Sequence, residues 1–236
     1  MKHFNGIIFI KQDIFKLSTF AFWLLSLLSG ATIIFSLECL GGNFSIDNVY
    51  AMFSTISEWL ILFVAANLFG KEFYYKTINM IRISNKRDIE ILARKWITMM
   101  MICVLTALVS FIEVAVYSKV FGRDIDIAML GGRLVLAYCL YGTFIFAFAT
   151  PIVILVKNTL YAFLVLFVTV AIAPMLLSIL SGVGISDSVM KCIPFTFMRD
   201  SFSFARYSGN QIAIMAVWSV LLLILSHTLL KKKGYV

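Results

Sequence analysis

Two acidic side chains stand inside stretches of the sequence that are otherwise apolar. Glu58 lies about 12 Å into one such stretch at the rise of an α-helix, and Glu113 lies near the end of the next. A carboxylate inside a bilayer is costly and usually belongs to a transport path or a buried polar contact. We predict that Glu113 is close enough to the interface to reach water. For Glu58 two roles stay open, a residue of a substrate path or a hydrogen bond to a Ser or Thr of a neighbouring helix.

The rest of the sequence carries no catalytic pattern. The Gly-Lys pair at positions 70 and 71 does not belong to a phosphate-binding loop, because Glu72 follows where the loop needs Ser or Thr. The two histidines, at positions 3 and 227, are too far apart in sequence for the paired histidines of a zinc protease. An intramembrane hydrolase would need paired Asp, paired Glu, or Ser with His in the spans, and only Glu58 lies deep enough. We therefore expect no enzymatic activity and no metal or cofactor in this chain.

A basic run from Phe69 to Trp96 separates two of the apolar stretches. It holds seven Lys or Arg against three acids, and its apolar residues recur at helical spacing before and after a break at residues 84–86. Asn85, followed three residues later by Asp88, resembles the start of a helix. The alternative is a solvated loop whose basic residues only reflect the excess of Lys and Arg on the cytoplasmic side. A plain connection between two spans, however, needs fewer residues than this run contains. We predict a cytoplasmic helical hairpin whose apolar faces a partner protein could cover.

The hairpin also carries a loose motif. Its members, in order, are Glu72, Thr77, a Ser-x-x-Arg turn formed by Ser84 and Arg87, and Lys95. This order resembles that of the ABC-2 type permeases, the membrane subunits of ABC transporters, and the resemblance covers nearly the full length of the chain. One departure is Lys76, which stands where the family often has Gly before the Thr.

The resemblance implies a role for the hairpin. In the family it carries the coupling helix that docks on a separate ATPase, so residues 70–95 are expected to transmit closure of the ATPase to the spans. A docked helix uses its apolar face for affinity and its charges for register. The residues expected to couple the two proteins are Glu72, Thr77, Ile78, Ile81, Ser84, Arg87 and Lys95. The partner ATPase would bind the ATP and Mg²⁺.

Composition indicates an all-α polytopic membrane protein. Of the 236 residues, 61% are hydrophobic and only 14% are charged, and the mean hydropathy is +0.98. A soluble fold would have no way to hide so much apolar surface. The net charge of +8 comes from basic residues between apolar stretches, where anionic lipid headgroups are the commoner partner. We expect contact with the lipid bilayer and no role in binding nucleic acid.

Six stretches are long enough to cross a bilayer as helices. We predict spans over residues 19–37, 49–69, 96–117, 134–156, 160–180 and 211–230, after an interfacial helix over residues 1–18. Ser26 and Gly30, one helical turn apart, are expected to allow a close helix approach. Fourteen Lys and Arg fall on one side of the spans and six on the other, so both termini are expected in the cytoplasm. Residues 1–236 are predicted to form one transmembrane domain.

The outer segment, residues 181–210, is too long for a simple connection between the fifth and sixth spans. Its polar side consists of Lys191, Arg199, Asp200 and Arg206. The break at Pro194 resembles the outer segment of ABC-2 permeases, which forms short re-entrant or interfacial helices; an ordinary loop among lipid headgroups is the alternative. Cys39 and Cys192 both fall on this side, and whether they pair stays open.

The function expected from the resemblance is ATP-driven export. Small permeases of this kind resemble those with which bacteria expel amphipathic or antimicrobial peptides across the cell membrane, for secretion or self-protection. The alternatives are export of drugs, lipids or ions, or a non-transporting protein such as a sensor or an intramembrane enzyme. Two permease chains, as a homodimer or with a related permease, are expected to work with two copies of a cytoplasmic ATPase subunit.

The resemblance also implies a role for Glu58. In the family the second span faces the dimer seam, so two copies of Glu58 would approach one another in the substrate path. Like charges at that place would favour a passing cationic group. We therefore expect basic peptides to be preferred over neutral ones.

Overall fold

The computed structural model describes residues 17–39, 46–74, 88–122, 126–182 and 186–233, and within these ranges the chain has helices and no strands. The elements in chain order are α1 (Leu17–Cys39), α2 (Ile46–Tyr74), α3 (Asp88–Phe121), α4 (Ile127–Val156), α5 (Thr159–Gly182), α6 (Asp187–Met190), a 3₁₀ helix (Pro194–Thr196), α7 (Met198–Ser203) and α8 (Gly209–Lys233). The prediction of an all-α fold is confirmed for the residues described.

Five of these helices are long and apolar enough to cross a membrane. The candidate spans are Val49–Phe73, Ile89–Phe121, Met129–Val156, Thr159–Leu180 and Gly209–Lys232. The described side chains of α1 include a shorter apolar stretch, Thr19–Ala31. The protein is therefore a multi-pass membrane protein. The predicted interfacial helix falls almost entirely, and the tip of the predicted hairpin entirely, outside the described residues.

Helix α4 lies at the centre of the bundle and packs against α2, α3 and α8. Aromatic side chains of α4 fill much of the core, and Tyr138, Tyr141 and Phe144 are fully buried. Helix α2 is also central, because 67% of the most apolar part of its span is buried, against 11% for α5 and 17% for α8. Helices α5 and α8 therefore present most of their apolar side chains outward, where lipid or protein must cover them.

The short helices close one end of the bundle, which we call the capped end. Helix α7 packs on α2 and α4, and the 3₁₀ helix packs on α5 and α8. At the start of α2, the Tyr50 hydroxyl donates to the carbonyl of Phe204 at 2.5 Å, and the indole N–H of Trp218 in α8 donates to the carbonyl of Cys192 at 2.9 Å. These contacts hold residues 186–208 against the ends of α2, α4, α5 and α8.

The opposite end, which we call the hairpin end, holds the last turns of α2 and the first turns of α3 and α5. Here Gly70 of α2 meets Thr159 of α5 so closely that a Cβ atom on Gly70 would overlap the Thr159 side chain and approach its Cα to 2.9 Å. Small residues allow such approaches between membrane helices. The contact joins α2 to α5 where the two helices leave the candidate spans.

Candidate functional site

Glu58 lies at the meeting point of α2, α4 and α7. Its residue is 3% exposed, and each carboxylate oxygen has a partner. The Tyr141 hydroxyl of α4 donates to Oε1 at 2.7 Å, and Nε of Arg199 in α7 donates to Oε2 at 3.2 Å. The structure thus pairs the acid inside α2 with a base carried by residues 181–210, and we call Glu58, Tyr141 and Arg199 the Glu58 cluster.

Aromatic contacts fix the position of α7 over this cluster. Phe202 stacks on Tyr141 with ring centroids 4.2 Å apart and meets Tyr138 edge-on at 4.9 Å. The Tyr138 hydroxyl in turn shares a 2.7 Å hydrogen bond with Ser57, next to Glu58. Offset and edge-on ring pairs add to the free energy gained from burial. Arg199 is therefore held in place by the packing of Phe202, one turn further along α7.

The pair is asymmetric in its access to water. The Glu58 side chain is 4% exposed, whereas the Arg199 side chain is 42% exposed. Tyr207 lies close by, and its hydroxyl donates to the carbonyl of Met198 at 3.0 Å. Burial, and secondarily the charge of Glu58, raises the pKa of Tyr207, so its hydroxyl keeps the proton that it donates. The exposed member of the ion pair is therefore Arg199, and Glu58 lies behind it.

The structure changes the interpretation of Glu58. Its partners are Tyr141 and Arg199, and the alternative of a hydrogen bond to Ser or Thr is wrong. A passing cation would have to compete with Arg199 for the carboxylate. Neither partner was predicted from the sequence, although a single acid inside a span needs a counter-charge and Arg199 is one of few bases in residues 181–210.

Glu113 is buried, contrary to the prediction that it reaches water. It is 8% exposed, and neither carboxylate oxygen has a hydrogen-bond partner among the residues described. Its carboxylate lies against Gly30 of α1, where an added Cβ atom would overlap it. The space beside Gly30, one of the two small residues singled out in the sequence, is occupied by this carboxylate. The prediction for Glu113 was wrong because depth along α3 places it near the interface, but α1 covers it.

The hairpin end brings two of the predicted coupling residues together. Nζ of Lys95, near the start of α3, donates to Oε1 of Glu72, near the end of α2, at 2.7 Å. Their side chains are 13% and 14% exposed, so water screens the ion pair only partly. The other predicted coupling residues, Thr77, Ile78, Ile81, Ser84 and Arg87, lie outside the described residues.

Reversing one charge of this ion pair should destabilise the protein. Lys95→Glu places two acids side by side, and we expect a loss of about 2 kcal/mol and a fall in the thermal unfolding midpoint of roughly 4–8 °C. Adding Glu72→Lys should restore at least half of the loss. Arg94→Glu, an exposed neighbour in α3, is the control. Equal midpoints for Lys95→Glu and Arg94→Glu in detergent would show that the ion pair does not tie α2 to α3.

A cleft of about 840 Å³ opens at the capped end beside the Glu58 cluster. It lies between residues 188–197 and the first turns of α8, and its lining combines polar and apolar side chains. Lys191, Thr196 and Gln211 are among the lining residues. The volume lies within the range of small-ligand pockets. Among the residues that the structure describes, no group of three or more His, Cys, Asp or Glu is placed to hold a metal ion.

Comparison with known proteins assigns no family to this chain. No protein-family model matches the sequence, and no curated protein matches it significantly. Function must therefore be inferred from the sequence motif and from the contacts of the Glu58 cluster and the hairpin end.

Proposed function

We propose that this chain is the transmembrane subunit of an ATP-driven exporter, an ABC-2 type permease that works with a separate ATPase. The observation that carries the proposal is the ion pair between Glu72 and Lys95. These two residues of the sequence motif, 23 positions apart, meet at 2.7 Å at the base of the hairpin. The contact ties α2 to α3, so a force applied to residues 75–87 by a docked ATPase would move both helices together.

Helix α2 connects the hairpin end to the Glu58 cluster. Glu58 and Glu72 lie on the same unbroken helix, Ile46–Tyr74, about 21 Å apart along its axis. Because most of α2 is buried, a shift or tilt at Glu72 would be transmitted to the contacts of Glu58 with Tyr141 and Arg199. In this mechanism the ATPase acts on the hairpin end, and the Glu58 cluster opens or closes the substrate path at the capped end.

The proposal includes six spans, with α1 as the first. Its backbone is helical over 23 residues, which is enough to cross a hydrocarbon core. The excess of Lys and Arg at the hairpin end and the two termini favours a cytoplasmic location for these parts, and the capped end then faces outward. We place the chain in the bacterial plasma membrane.

Two permease chains and two ATPase subunits would form the working complex. One chain leaves the apolar faces of α5 and α8 uncovered, so a second permease has surface to pack against. The two permeases are either identical or related. A mass of the detergent-solubilised complex that contains one permease per ATPase pair would contradict this assembly.

The substrate class that we favour is an amphipathic peptide with a basic group. Such a peptide matches an apolar path whose polar contacts are Glu58 and Arg199, because its positive charge can replace the guanidinium on the carboxylate. Export of drugs, lipids or ions by the same machinery is the second candidate. This second candidate becomes the better one if drugs, lipids or ions stimulate ATP turnover of the reconstituted complex and cationic peptides do not.

The coupling role is tested by placing a charge on the apolar face of the hairpin. Ile78→Asp and Ile81→Asp should abolish co-purification of the partner ATPase and reduce stimulated ATP turnover to the basal rate. The reason is that a docked helix depends on its apolar face for affinity. Ile78→Leu and Ile81→Leu are the matched controls and should leave both measurements unchanged.

Two outcomes separate a misplaced coupling site from a wrong function. If both Asp variants still co-purify with the ATPase and stimulate it, coupling belongs to another part of the chain. If the wild-type chain binds no ATPase and alters no ATP turnover, the permease assignment is wrong, and a non-transporting membrane protein becomes the better account.

A further inference from the structure

Glu113 is the second acid inside the candidate spans, and its surroundings differ from those of Glu58. It is 8% exposed, and neither carboxylate oxygen has a hydrogen-bond partner among the residues described. Glu58, by contrast, has Tyr141 and Arg199 as partners. Within the described ranges, the protein therefore buries one acid with a counter-charge and one acid without.

Helices α1 and α3 lie side by side, in the same direction, where Glu113 is buried. The indole N–H of Trp23 in α1 donates to Oγ1 of Thr106 in α3 at 3.0 Å. Seven residues further along both helices, Gly30 of α1 lies against the carboxylate of Glu113, and a Cβ atom on Gly30 would overlap Oε1. The lack of a side chain at Gly30 therefore allows α1 to close over the carboxyl group.

The hydroxyl groups near Glu113 on these two helices do not donate to it. Ser26 and Ser29 of α1 each donate to a backbone carbonyl of their own helix, at 2.7 and 2.9 Å. Ser110, one turn before Glu113 on α3, is fully buried, and its hydroxyl has no partner among the described residues. The described part of these two helices thus gives the carboxylate no hydrogen bond that would stabilise its charge.

The ionisable groups that face Glu113 bring no positive charge to it. The described side chains of α1, residues 19–31, include none that ionises. Tyr138 of α4 interacts electrostatically with Glu113, and Tyr117 is buried one turn later on α3. An ordinary tyrosine keeps its proton at neutral pH and is then uncharged. On α2 the ionisable group inside the span is Glu58, an acid that has its own counter-charge.

A carboxyl group in these surroundings is stable in its protonated form. An unpaired carboxylate in an apolar place costs far more free energy than a neutral polar group, and a buried acid avoids this cost by taking up a proton. We propose that Glu113 is a proton-binding site, which holds its proton while α1 is packed against α3 and releases it when α1 moves aside and admits water. A metal cation would need several oxygen ligands around it, whereas a proton needs only the carboxylate.

Infrared spectroscopy of the full chain tests whether Glu113 is protonated. The protein is held at neutral pH in a maltoside detergent, which has no carbonyl group of its own. The C=O stretching band of a protonated carboxyl group, which is separate from the bands of a carboxylate, should be present in the wild type and absent in Glu113→Gln. Glu58→Gln is the matched control and should keep this band. If Glu113→Gln removes no such band from the wild-type spectrum, the proposal is overturned.

The bound proton should also appear in the pH dependence of stability. An unfolded chain releases the proton of a glutamic acid at about pH 4.3. Between about pH 5 and about pH 7 the folded protein then holds one proton more than the unfolded chain, so raising the pH favours unfolding about tenfold per pH unit. Glu113→Gln has no proton to release, so its thermal midpoint should rise relative to that of the wild type by roughly 3–6 °C per pH unit.

Glu90→Gln removes an exposed acid from α3 and serves as the control for this comparison. Its midpoint should follow that of the wild type at every pH. If the curves of the wild type and Glu113→Gln run parallel, Glu113 has the same charge in the folded and unfolded protein, and the proposal is overturned. A disadvantage of Glu113→Gln that grows as the pH rises would also overturn it, because the ionised form would then be the stabilising one.

The role of α1 is tested at Gly30. Gly30→Ala places a methyl group where the carboxylate lies, so the carboxyl group or α1 has to move out of this contact. The infrared band should lose most of its intensity at neutral pH. Gly132→Ala, whose Cβ atom meets no neighbour within 4 Å, is the control and should keep the band. An undiminished band in Gly30→Ala would show that α1 does not keep the proton in place.

A metal cation is the competing ligand, and exchange of salts distinguishes it from a proton. Replacing choline chloride by sodium chloride at constant pH should leave the infrared band of the wild type unchanged. Loss of the band in sodium chloride would assign the site to a metal cation and overturn the proposal. The inference concerns α1 and α3 and does not depend on the proposed export function.

Discussion

Replacing Arg199 by Gln is expected to lower the free energy of unfolding by about 2 kcal/mol, more than the loss expected from Glu58→Gln. The first change leaves a carboxylate that is 3% exposed without its counter-charge. The second leaves Arg199, whose exposed side chain can turn to water, and an amide that still accepts from Tyr141. The thermal unfolding midpoint in detergent should fall by roughly 4–8 °C for Arg199→Gln.

The double variant Glu58→Gln/Arg199→Gln distinguishes an ion pair from packing. With both charges absent, no buried charge is left unpaired, so most of the loss caused by Arg199→Gln should be recovered. Lys191→Gln removes an exposed cation from the same segment and serves as the control. Should Arg199→Gln melt at the same temperature as Lys191→Gln, the ion pair would contribute nothing to stability, and α7 would be held by its other contacts, such as the packing of Phe202 on Tyr141.

Gly70→Val is expected to cost about 3 kcal/mol, with a fall in the thermal midpoint of roughly 6–12 °C. The new side chain would overlap Thr159 and crowd its Cα atom, so α2 and α5 would have to separate at the hairpin end. A rotation of the Thr159 side chain cannot relieve the contact with the backbone. The separation would also disturb the helix end that carries Glu72.

Gly132→Val is the matched control for this prediction. It introduces the same side chain into a helix at a site where a Cβ atom meets no neighbour within 4 Å. Any cost common to both variants, such as the restricted rotamers of a β-branched residue in a helix, therefore cancels in the comparison. If the two variants melt at the same temperature, the approach of α2 to α5 is not as close as described.

Hydropathy predicted the positions of the long helices well, because the thickness of a bilayer sets the length of an apolar helix. The second stretch, predicted over residues 49–69, lies within α2, Ile46–Tyr74. Both α2 and α3 extend beyond the predicted spans towards the hairpin. Helical hydrogen bonds continue into water without penalty, so hydropathy marks where the bilayer ends and not where the helix ends.

The partners of the buried acids could not be predicted in the same way. Glu58 and Arg199 are 141 residues apart, and their contact depends on how α7 packs across α2 and α4. Glu113 shows the complementary difficulty, since its depth along α3 is readable from the sequence but the position of α1 beside it is not. The Glu72 and Lys95 pair is more local, and the sequence motif named both residues without predicting that they touch.

The separation of Glu58 from Arg199 along the chain also matters during synthesis of the protein. The ribosome adds about 5–20 residues per second, so the arginine is made roughly 7–28 s after the glutamate. Helix α2 enters the membrane long before its counter-charge exists. During that interval the carboxyl group of Glu58 must be neutral, or α2 must remain beside the insertion machinery. Release of α2 into lipid with its ion pair formed is complete only when the last quarter of the chain has emerged and α7 has packed on α2.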